Sequence, residues 1–215
     1  MKNKKGEPIM SQFTYEKEDS KTPLETYEWD NVWWEQTKKT DTPRVLYIGD
    51  SISCGTRRRA TEAARGKLLF DGFGTSKALD NPYFKHTLRL FAKQQGSRIA
   101  ILFNNGLHGF HLQDDSDYKQ CYEEMICFLQ DEFKDTPLFL VLTTHVANPE
   151  RDARVVIRNG VVSELAKKYG LPTVDLYAIT KAHDDLFTDG VHLKPEGYDL
   201  LAEELVKSVQ AITEN

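Results

Sequence analysis

Ser51, Asp189 and His192 are residue types from which a hydrolytic relay can be built, and they stand near opposite ends of a 215-residue chain. A serine hydroxyl is a poor nucleophile at neutral pH and needs a neighbouring base, commonly an imidazole held in one tautomer by a carboxylate. Asp189-Gly190-Val191-His192 supplies carboxylate and imidazole three residues apart. Gly49-Asp50-Ser51-Ile52 supplies the hydroxyl, directly after the apolar run Val45 to Ile48. A serine so placed begins the next helix, near the positive end of its dipole. The competing reading is capping, since Asp and Ser are both favoured at a helix N-cap. An Asp-x-x-His alone is common; its weight comes from the Gly-Asp-Ser at the other end of the chain.

For these groups to meet, the intervening chain must return to the same edge of a sheet. From Arg44 onward, short apolar runs alternate with longer amphipathic segments, the pattern of a parallel sheet covered by helices. Strands are expected at Val45 to Ile48, Ile99 to Phe103, Leu138 to Leu142 and Thr173 to Leu176, with Lys67 to Phe70 as a fifth. Helices are expected at Pro82 to Lys93, Asp117 to Glu132, Arg151 to Tyr169 and Pro195 to Ile212. In the last, Tyr198, Leu201, Ala202, Leu205, Val209 and Ile212 recur every three or four residues, with Pro195 suited to the first turn. Ligands of such folds bind outside the carboxyl ends of the strands. Residues 1–28 are polar and read as an arm or strap, leaving residues 29–215 as one domain. Trp29, Trp33 and Trp34 read as anchors packing the strap onto the core, or as the lip of a ligand cleft.

Val-Leu-Tyr-Ile-Gly-Asp-Ser-Ile at residues 45–52 and Asp-Gly-Val-His at residues 189–192 resemble the first and last blocks of the SGNH, or GDSL, hydrolases, a family of serine esterases and lipases. The resemblance spans roughly Arg44 to Ile212. It implies an α/β chain with a three-layer α/β/α flavodoxin-like fold around a central, mainly parallel five-stranded sheet. It further implies cofactor-independent ester cleavage, with Ser51 as nucleophile, His192 as general base and Asp189 as its orienting partner. An oxyanion hole is implied as well, built from the Ser51 N–H, a glycine N–H and an asparagine side chain. The glycine is expected in the turn Asp71-Gly72-Phe73-Gly74-Thr75-Ser76, with Gly74 the first choice and Gly72 the second. The asparagine block, usually Gly-x-Asn-Asp, departs from the pattern. It reads Phe103-Asn104-Asn105-Gly106-Leu107-His108-Gly109 and, aligned on its glycine, puts His108 where asparagine is expected. Asn104 and Asn105 stand just upstream, on opposite sides by strand alternation. Asn104 is favoured because it ends the third strand and its amide donates at any pH.

The resemblance points to a small-molecule or glycan ester as substrate, with acetyl on a carbohydrate preferred because no long apolar segment offers a lipase lid. An acyltransferase using the same serine, and a non-catalytic glycan-binding module, are the alternatives. At 40% hydrophobic and 28% charged the composition is globular. Lys and Arg number 28 against 33 Asp and Glu, a net charge of -5, which removes the broad basic footprint of a nucleic-acid binder. No run approaches the roughly 18 apolar residues of a membrane helix. Cys54, Cys121 and Cys127 have neither disulfide nor zinc spacing, and Cys54 reads as a small packing residue. His108 and His111 are a candidate metal pair without a third ligand at a compelling spacing. His86, His145 and His183 read as solvent-facing loop histidines. Arg57-Arg58-Arg59 reads as a solvated helix face or as a cationic rim drawing an acidic glycan. Met1-Lys-Asn-Lys-Lys5 opens like a signal peptide, but Gly6-Glu7-Pro8 stands where the apolar segment should follow. The sequence as written reads as cytoplasmic; removal of a leader from a secreted protein would leave the same sequence.

Overall fold

The computed structural model describes residues 22–25 and 27–213. Residues 1–21 and 26, most of the expected arm, lie outside the described residues, as does the side chain of Ile212. The elements are β1 (Asp30–Trp33), β2 (Arg44–Gly49), α1 (Ser51–Ala63), β3 (Leu69–Thr75), α2 (Phe84–Gln95), β4 (Ala100–Phe103) and α3 (Asp115–Glu132). They are followed by β5 (Leu138–Leu142), α4 (Pro149–Tyr169), β6 (Thr173–Asp175), α5 (Leu176–Lys181) and α6 (Pro195–Thr213). One sheet runs in the order β1-β3-β2-β4-β5-β6, parallel throughout except for β1, which pairs antiparallel with β3.

Side-chain alternation divides the core between the two faces of the sheet. Val45, Tyr47, Leu102 and Val141 point to one side, where Ile52 and Ala60 of α1 meet Leu201, Leu205 and Val209 of α6. Leu46, Ile48, Ile101, Phe103 and Leu140 point to the other, against Leu88 of α2, Tyr122 and Met125 of α3 and Leu165 of α4. Because both faces are covered, the inner strands are almost wholly buried and read as continuous apolar runs. This is the three-layer α/β/α architecture expected from the alternation. After β2 the chain places β3 on one side and β4 on the other, so the carboxyl end of β2 is a topological switch point, where such sheets form their ligand crevice.

Three details differ from the sequence reading. The sheet has a sixth strand, β1, four exposed residues with no apolar alternation to mark them. β3 runs on to Thr75, so residues 71–75 are strand and not turn. The last parallel strand stops at Asp175, whose side chain accepts the Ala178 N–H at 2.9 Å and starts the short helix α5. Among the described residues, no helix is long and apolar enough to cross a membrane.

Candidate active site

Asp50 leaves β2 in extended conformation and caps α1, its Oδ1 accepting the Ile52 N–H at 2.9 Å. Capping thus falls to Asp50, and the Ser51 hydroxyl, one residue on, is free for another partner. That partner is His192, whose Nε2 lies 2.9 Å from Ser51 Oγ. The opposite ring nitrogen, Nδ1, is 2.8 Å from Asp189 Oδ2. The loop that carries both residues is folded onto itself. Asp189 Oδ1 accepts the N–H groups of Val191 at 3.0 Å and His192 at 2.8 Å, Thr188 N–H donates to the His192 carbonyl at 2.8 Å, and Phe187 bridges to Leu193. This turn needs Gly190 at φ +86°, a conformation costly for residues with a β-carbon. The Ala147 N–H docks the loop against the β5–α4 connection through the Gly190 carbonyl, at 2.7 Å.

Burial works against charge on Asp189, but the His192 ring and the two backbone donors outweigh it and hold its carboxyl below the usual range. A carboxylate at Nδ1 fixes the proton there and leaves the Nε2 lone pair facing the serine hydroxyl. The side chains of His192 and Asp189 remain 43% and 57% exposed, so reactants and water reach the relay directly.

The expected oxyanion donors are placed differently from one another. Gly74 and Gly72 pair with Asn31 and Trp33 of β1. Ser76 N–H donates to the Trp29 carbonyl at 3.1 Å, and ladder alternation directs the Gly74 and Gly72 N–H groups to β1 in the same way. Neither glycine therefore offers its N–H to the crevice. Their role is close packing: a β-carbon on Gly74 would run into the Cys54 sulfur, and one on Gly72 into the Arg57 side chain. Asn104 turns toward β5, its amide donating to the Val141 carbonyl at 2.8 Å and to Thr143 Oγ1 at 3.0 Å, which engages both hydrogens. Asn105 turns the other way and donates to the Lys77 carbonyl at 2.9 Å. Lys77 follows β3, Asn105 follows β4, and β2 lies between those strands, so the Asn105 side chain crosses over the end of β2 where Ser51 begins. It uses one amide hydrogen in doing so. His108 is buried, its Nδ1 2.9 Å from Glu25 Oε1 and its ring edge-on to Trp29. Of the three side chains, Asn105 is the one whose bond bridges the ends of the strands on either side of β2, whereas the Asn104 favoured by the sequence is turned toward β5.

Arg158, which the sequence reading passed over, organises this loop. Its buried guanidinium donates to the carbonyls of Gly106 (3.0 Å), His108 (2.6 Å), Gly109 (2.8 Å) and Leu112 (3.1 Å) and lies over the Tyr118 ring. The signal was present: Arg158 falls on the stripe of Val155, Val162 and Leu165, a charge on the apolar face of α4. The described part of the strap borders the same loops, Trp29 N–H donating to Ser76 Oγ at 2.9 Å and Asn81 to the Pro23 carbonyl at 3.4 Å.

The remaining candidates have local partners. His111 Nε2 is 2.8 Å from Asp80, so His108 and His111 each face a carboxylate of their own, and among the described residues no group of three His, Cys, Asp or Glu is placed to hold a metal. His145, in the β5–α4 connection, is buried against Asp152 and not solvent-facing, because the Tyr177 and Phe187 rings pack edge-on to it; His86 and His183 are exposed, His86 on α2. Arg57 is buried and donates to the Asn31 carbonyl and side chain, Arg58 pairs with Glu62 and Arg59 with Asp199. The run is therefore neither a uniform solvated face nor a free cationic rim.

No protein-family model matches the sequence, and no curated protein matches it. Solved structures do match in fold. An acetylxylan esterase from Geobacillus stearothermophilus is 14% identical with a TM-score of 0.59, over 78% of this chain and 94% of that one. A lipase/acylhydrolase from Enterococcus faecalis is 17% identical with a TM-score of 0.62, over 79% and 96%. The catalytic domain of a peptidoglycan O-acetyltransferase from Streptococcus pneumoniae, bearing a methylsulfonyl adduct, is 17% identical with a TM-score of 0.63, over 80% and 96%. With a GDSL-like lipase from Bacteroides thetaiotaomicron also among the matches, the chain has the fold of the SGNH/GDSL hydrolases.

Proposed function

We propose that this chain is a serine hydrolase that cleaves carboxylic esters through an acyl-enzyme, acting on small acyl groups such as acetyl carried by a carbohydrate. The observation that carries the reading is the Ser51–His192–Asp189 chain of 2.9 and 2.8 Å contacts at the carboxyl end of β2. In this reading Ser51 Oγ attacks the ester carbonyl while His192 Nε2 takes its proton, and Asp189 stabilises the imidazolium that forms. The Ser51 N–H at the start of α1 and the Asn105 amide meet the oxyanion. His192 then protonates the departing alcohol, activates a water that attacks the acyl-enzyme, and returns the proton to Ser51 as the acid leaves. No step calls for a cofactor.

Likeness to the acetylxylan esterase supports a carbohydrate ester as substrate. Likeness to the O-acetyltransferase domain supports a second reading, in which a sugar hydroxyl replaces water in the deacylation step. Ser51→Ala tests the shared chemistry. It should abolish both turnover of p-nitrophenyl acetate and labelling by a fluorophosphonate while leaving the melting temperature unchanged, since the helix cap is Asp50. Retained turnover in a folded variant would overturn the assignment. Product analysis with and without added oligosaccharide separates hydrolysis from transfer.

A further inference from the structure

His145 and the partly buried Asp152 form a further imidazole–carboxylate pair, beside those of His108 and His111, that the relay does not use. His145 Nδ1 is 2.6 Å from Asp152 Oδ1, and the backbone N–H of His145 donates to Thr180 Oγ1 at 2.8 Å. Asp152 also accepts the Val146 N–H at 3.3 Å and the Tyr177 hydroxyl at 3.0 Å. With Nδ1 held by a carboxylate, Nε2 is the outward edge of the ring; it looks toward Asp184, 3.4 Å away. These fixed groups floor a cavity of about 400 Å³ whose walls include Ala147, Lys181, Asp184 and Phe187. That volume lies in the range of small-molecule sites, about 300–1,000 Å³.

The cavity abuts the catalytic loop on two sides. Ala147 is bonded to Gly190, between Asp189 and His192, and Phe187 stands two residues before Asp189. It opens beyond β5, which β4 alone separates from β2, so it lies at least about 10 Å, or two strand spacings, from the end of β2. The second ring of a disaccharide whose first ring carries the ester reaches that far.

We propose that this cavity is a subsite for a neutral saccharide ring, the part of the alcohol remote from the acyl group. Its role in turnover rests on the esterase reading above, but the binding itself does not. Lys181 offers a half-exposed ammonium whose charge Asp152 balances from 3.6 Å, Asp184 an exposed carboxylate, and Phe187 a partly exposed ring. A uronate would face Asp184, and an amine would face Lys181. A neutral polyol satisfies both, because each hydroxyl donates and accepts, while the aromatic ring covers the apolar C–H face of a pyranose.

The test has a binding arm and a kinetic arm. In the first, xylobiose, N,N′-diacetylchitobiose and glucuronate are titrated into the full chain, with backbone and side-chain NMR signals of His145, Lys181 and Asp184 as the readout. A neutral disaccharide should shift these signals saturably, and Lys181→Met or Asp184→Asn should weaken its binding about tenfold. In the second, the same variants should raise KM for acetylated xylobiose about tenfold and leave p-nitrophenyl acetate turnover unchanged. No shift with either disaccharide, tighter binding of glucuronate, or equal loss on both esters would overturn the subsite. A parent chain that hydrolyses no ester but still binds xylobiose here would sink the esterase reading and leave the subsite standing.

Discussion

Asn105→Ala tests the proposed side-chain donor to the oxyanion, whose bond to the Lys77 carbonyl bridges the strands on either side of β2. A donor aimed at the oxyanion acts where charge develops, and its loss is worth about 10²- to 10³-fold in kcat, or roughly 3 to 4 kcal/mol. KM should change little, because the bond strengthens only as the oxygen becomes charged. The same substitution leaves the Lys77 carbonyl without the donor it has at 2.9 Å, and an unsatisfied buried acceptor costs about 1 to 3 kcal/mol of stability. Asn104→Ala is the matched control. It strips donors from the Val141 carbonyl and Thr143 Oγ1, so its stability loss should equal or exceed that of Asn105→Ala, while its kcat should stay within a few-fold of the parent. Asn105→Asp keeps the size of the side chain but turns a donor into a negative acceptor, and should be at least as damaging as alanine. The assay is kcat and KM on p-nitrophenyl acetate well below the melting transitions, with active sites counted by fluorophosphonate titration and stability read by calorimetry. If Asn104→Ala is the crippled variant, the amide swings from β5 on substrate binding and the crossing argument is wrong. If neither variant loses more than a few-fold, the hole is made of backbone N–H groups alone.

Asp189→Asn should lower kcat by orders of magnitude with KM nearly unchanged, because an amide can donate to Nδ1 and so favour the wrong tautomer of His192; full activity would mean another group orients the ring. Arg158→Met should destabilise the fold by at least about 3 kcal/mol, since it leaves four loop carbonyls without their donor. Arg158→Lys should recover only part of this, and both variants should lower kcat through the loop that carries Asn105; an unchanged denaturation midpoint would remove the clamp. On the acid side, burial opposes charge on Asp152 but the bonds from His145, Tyr177 and Val146 outweigh it, so its folded-state pKa lies below the unfolded value near 3.9. Its stabilising contribution is therefore complete above about pH 5 and is lost as pH falls through that depressed value. Asp152→Asn should flatten the fall of Tm with acid in that window, and curves that stay parallel would refute the linkage.

Much of the fold was legible because its physics is local. Doubly buried parallel strands must be short apolar runs, and the helices that cover them must be amphipathic, so Val45 to Ile48, Leu138 to Leu142 and the stripe of α6 announce themselves in composition and period. Gly49-Asp50-Ser51 and Asp189-Gly190-Val191-His192 were legible for a related reason: a tight strand-to-helix turn and a φ-positive loop each restrict the residues that fit, whatever surrounds them. Strand β1 was not, since four exposed residues at a sheet edge need no pattern. Nor was the placement of the expected oxyanion donors. Whether Gly74 offers its N–H depends on β1, which approaches from outside the apolar pattern. Which of two adjacent asparagines faces Ser51 depends on the order β3-β2-β4-β5, a relation among strands distant in sequence. The same holds for the His145–Asp152 pair and for Arg158, whose partners are backbone carbonyls that every residue possesses and no sequence pattern marks. From residue type and period alone came the candidate serine, histidine and aspartate and the layers that carry them. Tertiary structure alone decided which neutral donors and which cavity surround them, because hydrogen-bond direction and enclosure are set by packing between distant elements.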